Sequence, residues 1–134
     1  ENPKGPALPD FGVIDAPLAY NAYNRGFVPG AEKRARFDTV EARTRYKVIE
    51  RGATHTLFEL SLDTGKKNQI RAHLASNGYP IAGDAVRHAR TDPFGRLALH
   101  ARSLAFTHPV TKQIMRFDVP EPESWIAYVR TGKR

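Results

Sequence analysis

Three patterns in the 134 residues predict an α+β fold with two β-hairpins, a central helix and a C-terminal helix. Arg45–Glu50 and Thr56–Leu62 alternate polar and apolar side chains around a glycine-containing link, as antiparallel hairpins do. Gln69–Asn77 has helical spacing and is followed by Gly78 and Pro80. Leu97–Phe106 and Gln113–Val119 form a second pair of strand-like runs around the turn His108-Pro109-Val110-Thr111.

In chain order, residues 1–41 read as a loop-rich connecting segment. Pro3, Pro6, Pro9, Pro17, Gly26, Pro29 and Gly30 interrupt it, leaving room for one short strand at Phe11–Ile14. Regular structure is expected from Ala42 onward, so residues 42–134 form the second unit. Asp63-Thr64-Gly65 ends the first hairpin. In the helix that follows, Ile70 and Leu74 lie four apart and Ala72 and Ala75 favour the conformation. Gly78 stands where a C′ glycine belongs. Tyr79–Ala85 turns through Gly83-Asp84, and Arg87–Arg96, with Pro93 and Gly95, reads as loop. Pro120 and Pro122 stop the last strand, and Ser124 is placed to cap a helix carrying Trp125, Ile126 and Val129.

The length fits one domain with a real core. The apolar fraction of 40% fits neither a disordered nor a membrane chain, and no run approaches the ~18 apolar residues of a bilayer span. There is no cysteine, which removes disulfides, thiolate metal sites and a cysteine nucleophile. The N-terminal ENPKGPALPD has no apolar signal core, so a cytoplasmic location is expected. The net charge of +7 is unevenly spread. Residues 65–116 hold nine basic side chains against only Asp84 and Asp92, together with four of the five histidines. A segment this positive attracts polyanions, nucleic acid first among them, although a solvated basic surface has the same composition.

The densest chemistry lies in Thr64-Gly65-Lys66-Lys67-Asn68-Gln69-Ile70-Arg71-Ala72-His73-Leu74. Backbone N–H groups at a helix start, with Lys66, Lys67 and Asn68, suit an anion. The bland alternative is a solvated loop with Arg71 in a structural ion pair. His100 in an apolar run and His108 at a turn read as hydrogen-bonded structural residues, and Asp84 as turn chemistry. The histidines show no HExxH or HxxxH pair, so no metal site is expected. GxxxxGK[ST], GxGxxG and GxSxG are absent, which argues against nucleotide cofactors and a serine-hydrolase elbow.

The Thr64–Leu74 segment, then Gly78-Tyr79-Pro80-Ile81-Ala82-Gly83-Asp84, then Arg96-Leu97-Ala98-Leu99-His100-Ala101 through Phe106-Thr107-His108-Pro109, resembles the RluA-type RNA pseudouridine synthases in order and spacing. The likeness runs from about Ala42 to Pro122. Lys66 and Asn68 stand where Arg and His are commoner. The resemblance implies a mixed, largely antiparallel sheet with flanking helices. It implies isomerisation of uridine in ribosomal or transfer RNA, without metal or cofactor. It also implies a catalytic aspartate in an Arg-Leu-Asp motif, a tyrosine stacked on the uracil, and a basic residue pairing with that aspartate, which falls on Arg71. RNA contacts are expected from Lys66, Lys67, Asn68, Gln69 and His73.

No Arg-Leu-Asp segment occurs in this sequence, and Tyr20, Tyr23 and Tyr46 do not match the tyrosine motif. The expectation is therefore the C-terminal half of a catalytic domain, inactive alone, whose partner is the N-terminal half. Two other readings compete. One is a non-catalytic RNA-binding module; the other is a ribonuclease using His73 and His100 as base and acid.

Overall fold

The computed structural model describes residues 1–133. Its central sheet has the order β1 (Phe11–Asp15), β4 (Arg43–Arg51), β5 (Thr56–Leu62), all antiparallel. The two alternating runs form the β4–β5 hairpin, with a register shift between Val48 and Glu50. Alternation sets the faces: Thr44 and Tyr46 point inward, whereas Arg45 and Lys47 remain exposed. Between β1 and β4 in the chain lies a small ribbon, β2 (Ala19–Tyr20) paired with β3 (Gly26–Phe27).

Helix α1 (Gln69–Ser76) packs across β4 and closes with Gly78 at φ +84°, the left-handed conformation glycine adopts without strain. The main core joins Ile14, Tyr46, Leu74, Tyr79 and Ile81. Within it Phe58 meets both Tyr46 and Tyr79 edge to face. A smaller cluster of Leu18, Ala42 and Ala72 lies beneath the N-terminal part of α1.

Residues 1–41 are fastened to the rest along their length. Asn2 bonds to Gly52 and Thr54, the Glu1 carboxylate accepts from the Arg90 and Thr91 N–H groups, β1 pairs with β4, and Leu18 bridges Val40. The short strand expected at Phe11–Ile14 is β1.

β6 (Ser103–Thr107) and β7 (Ile114–Asp118) pair as the second hairpin in a separate two-stranded sheet. The strands are thus divided among three small antiparallel sheets. Leu97–Arg102, expected as the first part of a strand, joins none of them. Ala98 N–H bonds the Ala82 carbonyl, and Arg96 folds back onto the Leu97 and Leu99 carbonyls. The last helix, α2 (Glu123–Thr131), buries Trp125 and Val129 as expected. Its N-cap is Pro122, however, and no side chain caps it. Ser124 is already inside the helix, because the chain leaves extended Pro122 directly into the first turn and the helix starts two residues sooner. Among the described residues no helix is long and apolar enough to cross a membrane, and no group of three metal-ligating side chains forms.

Candidate active-site face around Arg71 and Asp84

The start of α1 is pinned by polar residues turned inward. The Gln69 side chain, 2% exposed, donates through Nε2 to the Arg43 carbonyl at 2.8 Å and to Thr44 Oγ1 at 2.9 Å. Its Oε1 accepts from Thr64 Oγ1 at 2.7 Å and Lys66 N–H at 3.1 Å. Every hydrogen-bonding position of the amide is filled. One turn on, His73 has no exposed surface; Nδ1 lies 2.8 Å from Thr44 Oγ1 and Nε2 lies 2.9 Å from the Ala16 carbonyl. A carbonyl only accepts, so Nε2 carries the proton and the Thr44 hydroxyl donates to Nδ1 while accepting from Gln69. Gln69 and His73, expected to contact RNA, are therefore internal struts that hold α1 against β4. The ribonuclease reading loses its base for the same reason.

Arg71, the third residue of α1, points the other way. Nε donates to Asp84 Oδ2 at 2.9 Å and Nη2 to Oδ1 at 2.7 Å, a bidentate pair. The Asp84 side chain is 1% exposed and that of Arg71 24%. The turn that delivers Asp84 is tight. Gly83 has φ +85°, and a Cβ there would collide with the Arg96 carbonyl, so position 83 needs glycine. Arg87 approaches the same carboxylate, its Nε 3.6 Å from Oδ2, and spends Nη1 on the Gly26 carbonyl at 2.7 Å.

Asp84 is thus the buried carboxylate of the site, beyond the turn role expected of it. Arg71, expected to hold an aspartate from elsewhere, already holds this one. The Asp84 hydrogen bond raises the Arg71 pKa, so the guanidinium is charged at any working pH. Burial pushes the Arg87 guanidinium below its ordinary value, with Asp84 opposing and Arg71 and Arg25 adding to the fall. One carboxylate faces two guanidiniums, leaving a net +1. Of Arg71's remaining donors, Nη1 makes only a 3.5 Å contact with Asn68 Oδ1. A signal for Asp84 and Arg87 was present in the sequence: one of only two acids in the basic window, with an arginine three residues later.

Lys66 and Lys67 are exposed on the turn that enters α1, beside Asn68 at φ +54°. Tyr20 OH donates to the Lys67 carbonyl at 2.9 Å and supports that turn from below. His100 and His108 are structural, as expected. His100 Nε2 meets the Val119 carbonyl at 2.8 Å, and His108 Nδ1 accepts from the Val110 and Thr111 N–H groups.

The sequence pattern of the RNA pseudouridylate synthase family matches residues 8–76, reaching well upstream of Ala42. The chain is 37% identical over 129 residues to ribosomal large subunit pseudouridine synthase D of Nitrosomonas europaea, covering 89% of this chain and 36% of that protein. It is 38% identical over 115 residues to the uncharacterized RNA pseudouridine synthase YlyB of Bacillus subtilis, covering 85% and 36%. The chain therefore spans about a third of the length of these relatives. Its fold is shared with human RNA pseudouridylate synthase domain containing 1, with a TM-score of 0.72 at 22% identity, over 88% of this chain and 51% of the other. The family match takes in β1, the β4–β5 hairpin and α1 with Arg71, and the chain belongs to the RNA pseudouridylate synthase family, as its likeness to the RluA-type enzymes implied.

Proposed function

We propose that this protein acts in the isomerisation of uridine to pseudouridine in RNA, with Arg71 positioning the catalytic aspartate. In that reaction the N1–C1′ bond breaks, a C5–C1′ bond forms, C5 loses its proton and N1 is protonated. A carboxylate that attacks the ribose or takes a proton must stay ionised and be aimed. A guanidinium supplies both, through permanent charge and paired donors.

The observation that carries this reading is the charge balance at Asp84. Its single negative charge faces Arg71 and Arg87, and Arg71 keeps Nη1 donors on a partly open edge. An incoming carboxylate meets a guanidinium already fixed by a buried partner, so little ordering is needed on binding. The Arg-Leu-Asp aspartate comes from the N-terminal half of the catalytic domain. Residues from 42 onward supply the C-terminal half, and residues 1–41 lead into it while contributing β1. Lys66, Lys67 and Asn68 grip RNA phosphates, which helps offset the few kcal/mol of flipping the target base out of its stack. The relatives named for the large ribosomal subunit make ribosomal RNA the first substrate to test.

The test is tritium release from RNA carrying 5-tritiated uridine, using the full-length synthase. Arg71→Ala should abolish turnover while RNA binding survives. Undiminished release by Arg71→Ala overturns the role. RNA binding without turnover in the full-length wild type favours a non-catalytic RNA-binding module.

A further inference from the structure

We propose that the tip of the β2–β3 ribbon, Asn21 to Arg25, is a platform on which an unpaired RNA nucleotide stacks beside the Arg71–Asp84 site. The inference rests on the RNA-directed function proposed above and adds a contact to it. Tyr23 is 82% exposed, and the Arg25 guanidinium lies 5.9 Å from its ring centroid. An aromatic side chain this open contributes little to the core, yet its backbone is closely specified. Asn21 Oδ1 accepts from both Tyr23 N–H and Arg25 N–H at 3.0 Å. Asn21 N–H bonds the Arg25 carbonyl, Asn24 N–H bonds the Asn21 carbonyl, and Asn24 takes φ +59°. One asparagine thus sets the backbone that carries the ring and the guanidinium before any ligand arrives.

The ribbon is also tied to the site at two points. Tyr20 OH donates to the Lys67 carbonyl, and Arg87, which faces Asp84, donates to the Gly26 carbonyl. The tip therefore sits in fixed register with Lys66, Lys67 and the guanidinium pair. Between Ala16 and Ala31 there is no acidic residue. An exposed ring with an adjoining guanidinium, on a rigid cationic support, suits a base whose faces are free. Single-stranded RNA offers such faces, and a duplex keeps them stacked inside.

The 134-residue chain would be titrated into fluorescein-labelled oligouridylate and into an RNA duplex of equal length, reading anisotropy. Tyr23→Ala should weaken oligouridylate binding about tenfold, within the range that stacking one base supplies, and leave the duplex unchanged. Tyr23→Trp should retain the affinity. The paired Lys66→Ala, Lys67→Ala variant should weaken both ligands. If Tyr23→Ala binds like wild type while the lysine variant weakens, the tip lies outside the interface and the RNA reading stands. An equal loss on both ligands also overturns stacking. A wild-type chain that binds neither RNA overturns the phosphate contacts of the proposed function together with this inference.

Discussion

Arg71 and Asp84 lie 13 residues apart and meet through two parallel hydrogen bonds, 2.9 Å from Nε to Oδ2 and 2.7 Å from Nη2 to Oδ1. Asp84→Asn keeps the shape and removes the charge, leaving Arg71 and Arg87 facing each other. Breaking one side of a buried ion pair costs about 3–5 kcal/mol, and Arg71's partial exposure puts the loss near the lower figure. Urea denaturation measures it. A change under about 1 kcal/mol would show that the pair does not hold the turn.

Gln69→Ala takes the donor from the buried Thr44 hydroxyl oxygen and the acceptor from the Lys66 N–H together. The expected loss is about 2–4 kcal/mol, the cost of leaving one buried and one half-buried polar group unsatisfied. The affinity for RNA, measured in the same preparation at fixed salt, should not move, because the side chain is turned inward. A severalfold weaker affinity in folded Gln69→Ala would return this residue to the RNA interface.

Lys66 and Lys67 should behave in the opposite way. Replacing both by alanine leaves the melting temperature unchanged, since both are exposed. The slope of log affinity against log salt on single-stranded RNA should fall by about 1.4, roughly 0.7 for each phosphate that a lysine no longer neutralises.

His55 gives the fold a pH dependence. The buried ring lies between Thr54 Oγ1 at Nδ1 and Thr91 Oγ1 at Nε2, 5.0 Å from the Tyr128 ring centroid. Burial lowers its pKa, and the positive amino terminus adds to the shift. Below the ordinary value of about 6.5 the unfolded chain binds the proton more readily. Stability is therefore full above that pH and declines as pH falls from there through the folded-state value. Urea midpoints at neutral and mildly acidic pH should show the decline, and His55→Gln should flatten it between those values.

The elements legible in the sequence were those whose signals are local. The β4–β5 hairpin follows from alternation on either side of Gly52, interrupted at Val48-Ile49 where the register shifts, and the end of α1 from Gly78, whose positive φ is a property of one residue. Gln69 and His73 misled because a polar side chain beside two lysines reads as solvent-facing. Only the passage of Thr44 beneath α1 gives them a reason to turn inward. Asp84 was hidden because its partner reaches it across a turn rather than along a helix. The arginine was legible as a carboxylate holder, and the carboxylate it holds within this chain was not.

The β6–β7 ribbon has a consequence for how the molecule comes apart. All five residues of β6 and four of β7 are exposed, and side-chain clasps join Ser103 to Asp118 and Arg102 to Glu121. An isolated pair of strands is marginal in water. Its amides should exchange with deuterium through cheap local opening, whereas those of β4, bonded to a neighbour on each side, should wait for global unfolding. Limited proteolysis should accordingly cut first between Thr107 and Ile114 and leave the three-stranded sheet with α1 as the resistant remnant.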